Sequence, residues 1–125
     1  MNPHLPRVLA VRHEDEPSPR RRVVLDLHVA PELAHFAGHF PGLPILPGVV
    51  QVDWAARFAR EHLELSGEFT GMENLKFLAL VLPDARLRLE LRHDPENGRL
   101  DFSFAGEARK FSSGRFLFSA AASRA

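Results

Sequence analysis

One segment in the middle of the chain, residues 43–56, constrains the fold more than any other part of the sequence. Its side chains with hydrogen-bonding polarity are only Gln51, Asp53 and Trp54. Pro47 and Gly48 can begin a helix there, because the first turn leaves its N–H groups unpaired and proline has none to lose. Gly67 offers a C-terminal stop, so we expect a buried helix of about twelve to eighteen residues, apolar on nearly every side in its first two-thirds.

Strand patterns surround this helix. Apolar and polar residues alternate in several segments, which is typical of half-buried strands, and the pair Asn97-Gly98 tolerates the positive φ of a hairpin turn. The predicted strands lie within 1–13, at 22–29, 73–82, 86–93 and 99–105, and near 109–119. The sequence therefore predicts an α+β domain in which a curved antiparallel sheet wraps one long buried central helix.

Composition narrows the chemistry. The 125 residues suit one domain covering 1–125, and 16 basic against 16 acidic side chains argue against a nucleic-acid partner. The absence of cysteine excludes disulfides, a thiolate nucleophile and cysteine-ligated zinc. No apolar stretch approaches the length of a membrane span or a signal-peptide core, so we expect a soluble cytoplasmic protein.

Asp53 lies where a purely structural sequence would have carbon, and a carboxylate is seldom buried without a partner. Two interpretations stay open. In the first, Asp53 forms an ion pair with Arg57, four residues along the helix. Alternatively, it is a functional carboxylic acid that burial keeps protonated, able to give a proton to a leaving hydroxyl.

His39 lies in the sequence G-H-F-P-G, just before two further prolines. Glycines and prolines at this density describe a stiff, irregular loop that fixes a side chain, although solvent exposure or a routine hydrogen bond is the simpler reading. His35 lies four residues earlier, a metal-ligand spacing on a helix. Gly38 and Pro41 make a helix improbable and no third ligand is evident, so we expect no metal.

The start of the predicted helix is a third candidate. The N–H groups of Gly48 and Val49 would have no acceptor within the helix and would lie at the positive end of its dipole. They are able to polarise a carbonyl group, while simple helix initiation is the alternative. With His39 and Asp53 they would supply a base, an acid and an oxyanion site.

These residues carry a resemblance to a known family. Residues 38–54 read G-H-F-P-G-L-P-I-L-P-G-V-V-Q-V-D-W. This closely resembles the signature of hotdog-fold 3-hydroxyacyl-(acyl carrier protein) dehydratases, the FabA/FabZ-like family. It combines G-H-F-P, a P-x-x-P-G stretch and an acidic residue fourteen positions after His39. The short chain and the residues P-I-L-P-G-V-V-Q further resemble the small dehydratases of aryl-polyene synthesis clusters.

The resemblance implies a hydro-lyase that eliminates water from a 3-hydroxyacyl thioester and leaves a trans-2-enoyl thioester. His39 would remove the C2 proton, Asp53 would hold the proton or water that lets the C3 hydroxyl leave, and Gly48, with Val49, would bind the thioester carbonyl. No cofactor or metal is implied. The acyl pocket would be formed by Leu43, Leu46, Val50, Trp54 and Phe77.

The resemblance also implies partners. The site would be shared across a dimer, most simply a homodimer, and the substrate would be carried by an acidic acyl carrier protein. Candidate docking cations are Arg20, Arg21, Arg22, Arg109, Lys110 and Arg115. Two alternatives stay open: an acyl thioesterase on the same fold, and a non-catalytic subunit of a heterodimeric dehydratase.

Overall fold

A computed structural model describes residues 2–36 and 44–119. Six strands form one antiparallel sheet in the order β1-β2-β4-β5-β6-β3, with one α-helix among the described residues. The elements are β1 (Arg7–Glu14), β2 (Arg21–His28), α1 (Gly48–His62), β3 (Phe69–Phe77), β4 (Arg86–Asp94), β5 (Arg99–Ala105) and β6 (Lys110–Phe118). The predicted arrangement of a sheet around a central helix is confirmed.

The core lies between one face of the sheet and one face of α1. Alternate residues of the central strands point inward, as the period-2 pattern requires, and are almost fully buried. They pack against Trp54, Ala55, Phe58 and Ala59 of the helix. Each fully buried Val, Leu or Phe side chain of this core contributes on the order of 1.5–3 kcal/mol. The opposite face of the sheet carries ion pairs, including one between Arg88 and Asp26.

The hairpin between β4 and β5 forms at the predicted Asn-Gly pair. Gly98 has φ 63°, in the left-handed region that favours glycine. A Cβ at this position would lie 2.3 Å from the carbonyl oxygen of Phe118, whose N–H donates to the Gly98 carbonyl. Both the turn and the approach of β6 therefore require glycine.

Two predicted boundaries differ from the structure. Strand β3 begins at Phe69 and ends at Phe77, earlier than the predicted 73–82, and Asn74, with φ 57°, lies where its register with β6 shifts. The chain beyond β3 instead turns towards the start of the helix, where the Leu46 N–H donates to the Val81 carbonyl. Helix α1 ends at His62 because Leu63 is extended and buries its side chain.

No helix in the described part of the chain combines the length and the apolar content needed to cross a membrane.

Candidate active site

The N-terminus of α1 carries free hydrogen-bond donors. Pro47, the N-cap residue, provides no side-chain cap, and its carbonyl accepts from Val50 and Gln51. The N–H groups of Gly48 and Val49 have no acceptor within residues 2–36 and 44–119. Since these donors lie at the positive end of the helix dipole, they form an arrangement that can bind a carbonyl oxygen gaining negative charge.

Phe77, at the end of β3, packs directly on the start of α1. A Cβ added at Gly48 would lie 2.6 Å from Cε1 of Phe77, closer than real Cβ contacts allow. Glycine therefore permits this close approach, and a larger residue would displace the ring or the start of the helix. The Phe77 side chain remains about half exposed on its other side.

Asp53 lies on the face of α1 that the sheet does not cover. Its carboxylate accepts a hydrogen bond from Nε of Arg57 at 2.9 Å, and its side chain is 55% exposed. The predicted ion pair is present, and an exposed helical pair of this kind is worth about 0.3–0.5 kcal/mol. The expected burial of this helix on nearly every side is wrong, because the sheet packs on only one of its faces and leaves Val49 74% exposed.

A groove of about 760 Å³ runs along this face, beside Asp53. The helix side contributes Val49, Val52 and Ala56, and Asp53 and Arg60 are the ionisable side chains among its described lining. The opposite wall comes from the sheet and its flanking loops: Leu65, Phe69, Met72, Leu100, Phe116 and Phe118. An apolar groove with one carboxylate on its wall suits a ligand with an apolar chain and a polar reacting end.

The described residues predicted to line an acyl pocket are not part of the lining of this groove. Leu46 and Trp54 are buried in the core, Val50 is half-buried, and Phe77 lies over Gly48. Two predicted site residues, His39 and Leu43, lie outside the described residues.

The sheet side of the groove was not identified as a site from the sequence. Leu100, Phe116 and Phe118 follow the strand alternation, but only the structure shows that they lie opposite the helix face that carries Asp53. Alternation alone assigns a residue to a face of the sheet and does not identify the helix face it meets.

Gln51, the third polar residue of the apolar segment, is buried and accepts a hydrogen bond at 2.7 Å from the buried hydroxyl of Ser112. This bond connects the first turn of α1 to β6. It anchors the turn whose first N–H groups have no acceptor in the described part of the chain.

Strand β3 is an edge of the sheet, and nearly all of its side chains are exposed. It continues into a segment with further exposed apolar residues, forming a patch of Phe69, Met72, Leu75, Phe77, Leu78, Leu80 and Leu82. The other edge, β1, carries charged residues between exposed Val8, Leu9 and Val11, and its register shifts between Val8 and Ala10. An edge strand with exposed apolar side chains is a surface that a partner can cover.

The six candidate docking cations do not form one patch. Arg22 pairs with Glu90, and the pKa of Arg115 is raised by its hydrogen bonds to Asp101 and Glu73. The cations before and at the start of β2 lie at one end of the sheet, where Arg21 is opposite His93 of β4 in the strand register. Arg109 and Lys110 lie at the other end, beside the Phe111 carbonyl that accepts from Leu78, just after β3.

Known proteins share this sequence and architecture. The family model described as ApeI-like, ApeI dehydratase, matches residues 13–115. The chain is 43% identical over 82 residues to the 3-hydroxyacyl-[acyl-carrier-protein] dehydratase FabZ of Erythrobacter litoralis, covering 58% of this chain and 54% of that protein. It is 38% identical over 95 residues to FabZ of Acetivibrio thermocellus, covering 70% and 65%. The match thus spans about half to two-thirds of the length of these relatives.

Two solved structures have the same architecture over nearly the whole chain. An uncharacterized protein from Erwinia carotovora subsp. atroseptica superimposes with a TM-score of 0.83 and 36% identity, covering 93% of this chain and 97% of that one. A chain of the dehydratase heterocomplex ApeI:P from Xenorhabdus doucetiae gives a TM-score of 0.77 and 28% identity, covering 90% and 96%. The predicted hotdog fold is confirmed.

Proposed function

The chain belongs to the ApeI-like dehydratase family, and from this premise we propose that it is a 3-hydroxyacyl-[acyl-carrier-protein] dehydratase. It converts a 3-hydroxyacyl thioester into a trans-2-enoyl thioester and water. Two relatives named for this activity are 43% and 38% identical to the chain over matched segments of 82 and 95 residues. The observation that carries the proposal is the start of α1 without a side-chain cap, where the N–H groups of Gly48 and Val49 have no acceptor among the described residues and lie about one turn before Asp53 in an apolar groove.

The reaction breaks the C2–H and C3–O bonds and forms the C2–C3 double bond. His39 takes the C2 proton, and the electron pair left on C2 moves towards the thioester carbonyl. The Gly48 N–H, with that of Val49 as second donor, stabilises the charge that develops on the carbonyl oxygen. One such donor is typically worth about 2.7–4 kcal/mol. A proton held at Asp53, directly or through a water, passes to the C3 hydroxyl, which leaves as water.

The acyl chain occupies the groove along α1, whose lining beyond Asp53 is almost wholly apolar. Phe77 covers the thioester end beside Gly48, with Val50 next to it on the first turn of the helix. Leu46 and Trp54 support this wall from the core. Burial of an apolar chain in such a groove supplies the binding energy that orients the reacting end.

A second copy of the chain completes the site. The apolar edge β3 ends beside Gly48, and the face that carries Asp53 is uncovered in one chain. Pairing β3 with its counterpart in a second copy would bury the apolar patch and extend the sheet. A non-identical partner is the alternative, since the similar chain from Xenorhabdus doucetiae is part of a heterocomplex; native mass spectrometry distinguishes the two.

The thioester is delivered by an acidic carrier protein. Of the six candidate cations, Arg109 and Lys110 lie at the end of the sheet where β3 finishes and α1 begins. This is the end at which a carrier must dock to bring its thioester to Gly48. Opposite charges on the two surfaces would mainly accelerate their association.

Product analysis tests this function. The purified chain is incubated with a 3-hydroxyacyl carrier-protein thioester, and the carrier is weighed by mass spectrometry. We expect the loss of one water with the acyl chain still attached. Asp53→Asn should abolish this loss, whereas Glu61→Gln, which removes another exposed carboxylate of α1 outside the groove lining, should not. Release of a free acid would instead indicate a thioesterase.

A further inference from the structure

The N-terminal segment 2–6, which we call the N-terminal strap, reaches α1 through one backbone atom. The carbonyl oxygen of His4 accepts a hydrogen bond from Nε1–H of Trp54 at 2.9 Å. Nε2 of His35 lies 2.9 Å from the same oxygen. Since a carbonyl only accepts, Nε2 of His35 carries the proton and donates it. Two side chains from two parts of the chain thus share one oxygen.

These two donors belong to the elements that flank the proposed catalytic groups. Trp54 is fully buried in α1 and directly follows Asp53 in the sequence. His35 lies in a short 3₁₀ helix, Ala34–Phe36, from which the chain continues towards His39. The His4 carbonyl therefore connects the helix that carries the proposed acid with the turn that precedes the proposed base.

The position of this carbonyl is fixed by further contacts of the strap. The His4 N–H donates to Oδ1 of Asn2 at 2.8 Å, and the Ala34 N–H donates to the Pro3 carbonyl at 2.9 Å. Leu5 packs against the core. The rings add edge contacts, with centroids 5.3 Å apart for His4 and His35 and 6.2 Å apart for His35 and Trp54. The strap is thus held on both sides of the oxygen.

We propose that the N-terminal strap is a positioning element of the dehydratase site, acting through His35 and Trp54. The inference rests on the proposed function. A carbonyl oxygen has two lone pairs, and here each has a donor, so the separation of Nε1 of Trp54 and Nε2 of His35 is limited by their common acceptor. Without the His4 carbonyl, a buried indole N–H would lose its partner, and α1 or the 3₁₀ helix would shift to replace it.

His35 and Trp54 are therefore positioning residues. Their loss should act on the alignment of acid and base and leave the groove, and so the binding of the acyl chain, largely intact. The expected signature is a lower kcat with an unchanged KM, since misalignment near 1 Å costs up to about 100-fold in rate. A purely structural role would instead lower thermal stability and leave the kcat of the folded protein unchanged.

The test uses the full-length chain and a matched pair of substitutions. His35→Leu and His35→Gln have similar volumes, but only Gln retains an N–H donor. We expect His35→Leu to lower kcat about 10- to 100-fold and His35→Gln to retain most of the wild-type kcat.

The only tryptophan of the chain gives a single indole N–H resonance, which reports on the strap without any substrate. Deleting residues 2–5 should accelerate exchange of this indole hydrogen with solvent.

The outcomes are distinguishable. Equal kcat values for wild type, His35→Leu and His35→Gln would overturn the positioning role while leaving the dehydratase function intact. An indole hydrogen that exchanges as slowly after the deletion as before it would show that the strap is not its partner, which also overturns the proposal. A wild-type chain without dehydratase turnover would refute the proposed function, and the positioning role with it.

Discussion

Replacing Gly48 with alanine perturbs the point where the α1 backbone meets the Phe77 ring. The added Cβ would lie 2.6 Å from Cε1 and 2.7 Å from Cζ of that ring, whereas ordinary contacts begin at 3.4 Å. The ring or the helix start must therefore move by the difference, about 0.8 Å. Because Phe77 is half exposed at the end of an edge strand, part of this movement will be taken up by the ring.

The effect on rate should exceed the effect on stability. Misplacement near 1 Å costs up to about 100-fold in rate, and loss of one oxyanion donor costs about 10²–10³-fold in kcat. We therefore expect Gly48→Ala to lower kcat about 100-fold. Alanine favours a helix by about 1 kcal/mol relative to glycine, and overpacking costs about 1–3 kcal/mol. The free energy of unfolding should accordingly change by no more than about 2 kcal/mol.

A double-mutant cycle with Phe77→Ala tests the contact itself. The kcat of wild type, both single variants and the double variant is measured with one thioester, and urea unfolding is followed in parallel. If the ring causes the loss, Gly48→Ala should be less damaging in the Phe77→Ala background, giving a coupling energy above about 0.5 kcal/mol. A wild-type kcat for folded Gly48→Ala would refute the role assigned to this backbone, and strictly additive effects would refute the role of the ring.

Three further predictions concern other parts of the molecule. Leu75→Glu on β3 should dissociate the proposed dimer in native mass spectrometry, while Val11→Glu on β1, at a similarly exposed position, should not; equal effects would argue against the proposed β3 interface. Glu substitutions at Arg109 and Lys110 should raise KM about tenfold for the carrier-bound thioester but not for a small thioester analogue, since only the carrier is acidic; a parallel rise for both substrates would contradict docking there. Burial lowers the pKa of His93 from its ordinary value of 6.5. The unfolded chain therefore binds more protons below pH 6.5, so the free energy of unfolding should decrease as the pH is lowered through this range. The decrease should be less steep for His93→Gln; identical urea midpoints for both proteins on either side of that pH would contradict this.

Local patterns predicted much of the fold. The strict alternation over β4 and β5 and the Asn-Gly pair between them identified the hairpin, because period and turn chemistry are properties of neighbouring residues. Strand β3 was predicted too late in the chain. The irregular backbone at Asn74 interrupts its alternation, and edge exposure weakens its pattern.

The site was harder to predict than the fold. The apolar segment predicted burial for the whole start of α1, but burial of a helix face depends on what packs against it, and the sheet of one chain covers only one face. Asp53 and Val49 are exposed for this reason. The G-H-F-P-G resemblance assigned His39 its role, and that assignment remains a prediction. Two side-chain donors sharing the His4 carbonyl have no local signature in the sequence.

Dehydration by wild type, His39→Ala and Asp53→Asn is the measurement that tests the central claim most directly. The carrier-bound 3-hydroxyacyl thioester is followed by mass spectrometry, and each protein is first shown to be folded. A base–acid pair predicts loss of one water with wild type and a decrease of at least about 100-fold for each variant. Wild-type turnover by folded Asp53→Asn or His39→Ala would contradict the account.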